Sequence, residues 1–178
     1  MAKPEGLRVV MVIAGQQFRD EELFEPRRLL QEAGVEVRVA SSHPGPATGM
    51  LGGKVTPELL YTALRSEEWD GVVFVGGMGA KQYFEDAGAH ALAREAAAAG
   101  KLVAAICIAP SILANAGILA GKNATAYPCE EGNLRARGAR FTGAPVTVDG
   151  RVVTGSGPEA AAEFGRALVR VLCPGKAT

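Results

Sequence analysis

Cys107 has the most chemistry in its surroundings. It follows the apolar run Leu102–Ile106 and precedes the helix-like segment Ser111–Ala116, so it stands where a buried strand gives way to a helix. Ala105 and Ala109, two residues to either side, give the small-x-nucleophile-x-small spacing of a nucleophile elbow. Small neighbours let such a turn close sharply and push the side chain toward a substrate. A helix starting beneath the sulfur would offer unpaired N–H groups and the positive end of a dipole, both favouring thiolate over thiol. The same spacing also suits a core cysteine packed as a small hydrophobe.

A thiol used as a nucleophile needs somewhere to put its proton. Glu21, Glu22 and Glu25 follow the first strand, and Glu22 is the partner chosen for Cys107. A carboxylate cannot attract a thiolate. Like charges instead raise one of the coupled pKa values, so that a protonated Glu22 can donate to the sulfur. Read plainly, the three are helix N-terminal acids favoured by the dipole. Gly77, with Gly76 beside it, and the amide of Ile108 are candidate oxyanion donors, although Gly76-Gly77 by itself also reads as a turn. Cys129 is a candidate to resolve an oxidised Cys107, or an incidental thiol; Cys173 reads as structural. His43 and His90 read as surface residues. Gly117–Asn123 misses a P-loop by one residue, and Gly77-Met-Gly79 lacks a third glycine.

The elements that must position these groups alternate. Leu7–Ala14 is an apolar, β-branched run that reads as a strand buried on both faces. Leu23, Pro26, Leu30 and Ala33 mark a first helix capped by Gly34, its regular turns beginning near Glu25 if Pro26 is to be tolerated. Val35–Ala40 alternates as a second strand, and Ser41–Gly53 reads as a surface loop. Trp69–Val75 is the third strand; Asp86 caps a helix over Ala87–Ala99. Leu102–Ile106 is the fourth strand, and Asn123–Ala126 a short one. Val146–Asp149 and Arg151–Thr154 flank Asp149-Gly150 as a hairpin, before a helix over Glu159–Leu172. This rhythm predicts one α/β domain over residues 1–178: a doubly wound, mostly parallel sheet with helices on both faces. Ligands of such sheets bind beyond the strand carboxyl ends, where Gly15–Glu22, Gly76-Gly77 and Cys107 all fall.

The composition suits a globular protein: 48% hydrophobic and 21% charged residues, with 178 residues available to bury a core. Lys plus Arg and Asp plus Glu number 19 each, leaving no field to gather a polyanion, so no nucleic-acid partner is expected. Arg135, Arg137 and Arg140 read as a solvated face. No window reaches the ~18–20 apolar residues of a membrane span, and the start Met1–Gly6 lacks a leader's apolar run, which predicts a cytoplasmic protein. Three cysteines without a C-x-x-C pair fit reduced thiols better than disulfides or zinc.

Taken together, these residues resemble the DJ-one/ThiJ/PfpI superfamily from about Leu7 to Leu172. Ala104-Ala-Ile-Cys-Ile-Ala-Pro110 is similar to its A-[AS]-I-C-x-[GA]-P elbow, Glu22-x-x-x-Pro26 to the segment of its acid, Val75-Gly-Gly77 to its L-P-G-G turn, and Ser156-Gly-Pro158 to its later G-P. The resemblance implies a flavodoxin-like sandwich, Cys107 as nucleophile, Glu22 in hydrogen bond with it, and an anion pocket at Gly77 and Ile108. It also implies a homodimer or larger assembly. Family activities include glyoxalase, deglycase, peptidase, chaperone and oxidative-stress sensor. Two departures discriminate. Ile108 stands where the peptidase-like branch has histidine, and Tyr127 where the branch nearest the human protein has histidine; tyrosine, with a reference pKa of ~10, is the poorer base. The expectation is therefore a cysteine-dependent enzyme acting on small reactive carbonyls without metal or cofactor, Tyr127 and Cys129 being accessory. The alternatives are a redox sensor or chaperone oxidised at Cys107, and a cysteine peptidase or amidase.

Overall fold

Successive residues of the strand Arg8–Val12, β1, point to opposite faces, and both faces are apolar. Val9 and Met11 enter one core and Val10 and Val12 another, all at most 1% exposed. A strand with two dry faces must lie mid-sheet with a layer on either side. In the computed structural model, which describes residues 6–175, it does. Residues 1–5, most of the start that reads as leaderless, and 176–178, the last of the expected domain, lie outside the described residues.

After β1 come β2 (Gln16–Phe18), α1 (Asp20–Glu32), β3 (Glu36–Ser41), β4 (Ala47–Gly49), β5 (Lys54–Val55), β6 (Leu59–Leu60), β7 (Gly71–Phe74) and α2 (Ala87–Ala98). They are followed by β8 (Leu102–Ile106), α3 (Pro110–Asn115), β9 (Asn123–Ala124), α4 (Glu131–Ala136), β10 (Arg140–Phe141), β11 (Val146–Asp149), β12 (Val152–Gly155) and α5 (Ala161–Leu172). The main sheet has the order β11-β12-β8-β7-β1-β3-β6, parallel throughout except for the β11–β12 hairpin. Its five longer parallel strands run 2-1-3-4-5 in chain order, the flavodoxin-like arrangement, which reverses between β1 and β7. Leu23, Leu30, Phe164 and Leu168 of α1 and α5 fill one core; Leu92, Ala96, Ile112 and Leu113 of α2 and α3 fill the other. Each such leucine, isoleucine or phenylalanine contributes about 1.5–3 kcal/mol by leaving water.

Three expectations are corrected. The first helix begins at Asp20, not near Glu25, and carries Pro26 in its interior. Asp20, Glu21 and Glu22 in its first turn suit the dipole, while Pro26 leaves the carbonyl of Glu22 without its helical donor. Gly165 compensates by admitting close packing: a Cβ there would lie 2.9 Å from Pro26 Cα and 2.7 Å from Leu29 Cδ1. Ser41–Gly53 is not all loop. Its β4 pairs with β2 and β5 in a small second sheet beside the mouth of the first. Third, β9 pairs with β10, outside the main sheet.

Candidate active site

Cys107 sits at the end of β8 with φ +68°, a left-handed conformation shared among described non-glycine residues only by Gln17. Such a backbone costs about 1–3 kcal/mol and persists only where its surroundings hold it. Here the Cys107 N–H donates to the Gly155 carbonyl at 2.9 Å and its carbonyl accepts from Tyr127 N–H at 2.7 Å, pinning the elbow between β12 and the segment after β9. The side chain is 9% exposed, belongs to the α1/α5 core cluster on one side, and opens on the other to a cavity of about 220 Å³. Thus the core reading and the elbow reading each describe one side of the sulfur.

Glu22, in the first turn of α1, is fully buried and does not line the cavity. Gly76 explains how it meets the cysteine. A Cβ on Gly76 would collide with Glu22 Oε1 and would stand 2.6 Å from Cys107 Cβ and 2.7 Å from the Ile106 carbonyl. The carboxyl and the thiol therefore pack against one backbone that only glycine leaves open. Neither Glu22 oxygen has a partner at full hydrogen-bond geometry, but the thiol and the Gly76 N–H act on the carboxyl electrostatically. Gly77, at φ +102°, is tighter still: a side chain there would strike the backbone of Gln17 and Arg19. Arg19 N–H donates to Gly76 O at 2.9 Å, so the loops after β1 and β7 are stitched together across the topological switch.

Burial raises the Glu22 carboxyl to about 8, more than the thiol, Arg19 and the Gly76 N–H lower it. Burial also raises the Cys107 thiol, and the charge of Glu22 adds to it, to about 12; the N–H groups of Gly77 and Ile108 pull the other way and lose. This corrects the expectation of a thiol lowered by a helix N-terminus. The helix α3 has six residues and begins three positions past the sulfur, too little and too far to overcome desolvation beside a carboxylate. The resting pair is a neutral thiol over a carboxyl that titrates near neutrality.

Of the three neighbouring acids, only Glu22 reaches the sulfur. Glu21 takes a fork from Arg19, Nε and Nη2 donating to its two oxygens at 2.9 and 3.1 Å, and Glu25 pairs with Arg28 at 2.9 Å on the outer face. Tyr127 and Cys129 line the cavity with Cys107, and the Cys129 thiol donates to Glu130 Oε2 at 3.3 Å. Neither histidine lines it. His43 is exposed in the adjoining loop; His90, expected at the surface, is buried with Nε2 2.7 Å from the Phe84 carbonyl. Cys173 is buried in the core, and no disulfide joins Cys107, Cys129 or Cys173.

Arg19, Asp20, Met50 and Met78 have no site role in the sequence reading, and Pro158 enters it only through the Ser156-Gly-Pro158 motif. Arg19, Met50, Met78 and Pro158 line the cavity. Asp20 builds its rim by accepting the N–H groups of Leu51 and Gly53 at 2.7 Å each, which holds the loop carrying Met50. A buried acid at a helix start followed by Gly49, Gly52 and Gly53 is a weak signal in sequence. The two glycines nearest Asp20 give way to it: a Cβ at Gly49 or Gly53 would stand about 2.5 Å from its carboxylate. Among the described residues no three His, Cys, Asp or Glu side chains gather as for a metal, and no helix is long and apolar enough to cross a membrane.

Comparison with known proteins shows where a parallel sheet of this order, here with a strained cysteine at the end of β8, recurs as a fold. The model of the DJ-1/PfpI family matches residues 7–171. An uncharacterized protein of Methanocaldococcus jannaschii is 40% identical over 93% of this chain and 82% of its own. Deglycase PH1704 of Pyrococcus horikoshii is 34% identical over 92% of this chain and 98% of its own. The crystal structure of a ThiJ/PfpI domain protein from Brachyspira murdochii superposes with a TM-score of 0.92 at 36% identity, covering 95% of this chain and 98% of that one. The chain belongs to the DJ-1/PfpI family.

Proposed function

We propose that the protein is a cysteine-dependent enzyme acting on small reactive carbonyl compounds such as 2-oxoaldehydes. The observation that carries this reading is the pair itself: a cavity-lining thiol and a buried carboxyl raised to about 8, packed on the same face of Gly76. A carboxyl titrating near the working pH is suited to take and return protons. Cys107 Sγ bonds to the aldehyde carbon as its proton passes to ionised Glu22 and on to the carbonyl oxygen, beside the N–H groups of Gly77 and Ile108. Glu22 then takes the hydrogen from that carbon as a proton and returns it to the neighbouring one, while the hydroxyl proton passes to the neighbouring oxygen, converting hemithioacetal to the thioester of a 2-hydroxy acid. Water releases the acid and restores the thiol. The similar protein named a deglycase supports carbonyl chemistry in this family. Incubation with methylglyoxal and assay of lactate tests the reading; turnover no greater than that of Cys107→Ala defeats it.

A redox reading has one observation in its favour, the second thiol of Cys129 in the same cavity. Dioxygenation of Cys107 by mild peroxide, seen by mass spectrometry in a protein without turnover, would favour it. A peptidase would need a base that neither histidine of the chain supplies at the cavity. A homo-oligomer in solution is part of the proposal, to be checked by light scattering.

A further inference from the structure

The cavity over Cys107 is small and mostly apolar, walled by Met50, Met78, Ile108 and Pro158, yet its lining includes one permanently charged residue whose charge interacts with that of Cys107. Arg19 lines both this cavity and the adjoining one of about 520 Å³. Its guanidinium is held in place: Nε and Nη2 are taken by Glu21, and Arg19 N–H is tied to Gly76 O. Nη1 takes part in no hydrogen bond among the described residues and keeps both its donors. Glu21 itself does not line either cavity, and its side chain is the more exposed of the two. Glu159 is the acidic residue on these walls, and it belongs to the adjoining cavity alone. A braced cation with one free arm in an apolar recess is the arrangement that recognises a single anionic group on a small ligand.

We infer that Arg19 favours substrates in which a carboxylate accompanies the reactive carbonyl, so that the preferred compounds are small 2-oxoaldehydes bearing an acid group, ahead of neutral ones such as methylglyoxal. The volume suits three- or four-carbon compounds: at about 220 Å³ it falls below the ~300–1,000 Å³ of sites for drug-sized ligands. The inference rests on the proposed use of the cavity as the substrate site, and its test is independent of turnover.

Iodoacetate and iodoacetamide differ by a carboxylate and attack the same sulfur. The rate of each at Cys107, followed by peptide mass spectrometry, gives a ratio from which the ionisation of the thiol cancels. Normalised to the ratio in urea-unfolded protein, the wild type should favour iodoacetate. Arg19→Gln should lower the normalised ratio about three- to tenfold, as expected for loss of one nearby unit charge at a partly wet site, and Arg19→Lys should restore part of it. A ratio unmoved by Arg19→Gln, or one already below unity in the wild type, overturns the inference. So does an equal fall in both rates, which would mean that Arg19 only supports the elbow. If the ratio depends on Arg19 but no carbonyl compound is turned over, the anion site stands and the proposed chemistry falls.

Discussion

Replacing Glu22 by glutamine should change how stability depends on pH, in a direction the burial of this one side chain fixes. Glu22 is fully buried, and its carboxyl is raised from an ordinary value of 4.5 to about 8. An acid with a raised folded pKa binds its proton more tightly when folded. The stability it contributes is therefore complete below about 4.5 and is lost as pH rises toward 8. Between pH 5 and 8 the two values imply a loss on the order of a few kcal/mol, spread over the interval between them. Glutamine keeps the shape and stays neutral, so Glu22→Gln should lack this loss while sharing every other titration. Urea unfolding of both proteins at intervals from pH 5 to 8 isolates the term as the difference between two curves. Parallel curves would refute the reasoning, since they would mean that Glu22 is hydrated or ion-paired and not a buried neutral acid. The proton store that the proposed chemistry needs would then be missing.

Turnover of methylglyoxal should rise with pH as Glu22 loses its proton, with a midpoint near 8, and Glu22→Gln should lose the limb together with about 10²-fold or more in rate; a wild-type rate flat from pH 6 to 9 argues against the assignment. Gly76→Ala should push the Glu22 and Cys107 side chains apart and cost about 1–3 kcal/mol, read as a lowered Tm alongside slower turnover, because its Cβ has 2.6 Å to Cys107 Cβ where about 4 Å is comfortable. Asp20→Ala removes the acceptor of two loop N–H groups and should cost about 1–3 kcal/mol in urea unfolding, with new proteolytic cleavage between residues 49 and 53; an unchanged digestion pattern would show that the rim does not depend on Asp20.

What was legible in the sequence followed from repetition and from apolar runs. The long strands carry several residues of evidence each, so the apolar runs in β1 and β8 placed the middle of the main sheet within a residue or two. The strands β2, β4 and β5 have only two or three residues, too few for a period, and they form through tertiary packing around Asp20 and the loops. The elbow was readable because a strained turn demands alanines around it. The thiol's acid–base behaviour was not. It depends on how dry the sulfur is and on a carboxyl 85 residues away in the chain, a distance across which spacing carries no information. Arg19 was missed for a related reason, since an arginine beside two glutamates reads as an exposed ion pair until the residue is seen to line the cavity.

A resting thiol raised to about 12 looks wrong for a nucleophile only if the thiolate must exist before the substrate arrives. Burying a lone thiolate here would cost more than two backbone N–H groups return, and burying it beside an ionised Glu22 would cost more again. Holding one proton too many avoids both costs. The charge then appears on the sulfur only as it is passed to the carbonyl oxygen, and the proton it leaves behind goes to a carboxyl whose affinity for it, about 8, is nearer to that of the solvent than the thiol's own. The same neutrality slows oxidation of an unoccupied site, because it is the thiolate that attacks peroxide. Gly76 is the hinge of this arrangement. By omitting a side chain it lets acid and sulfur share one face of the backbone, so that neither has to ionise alone.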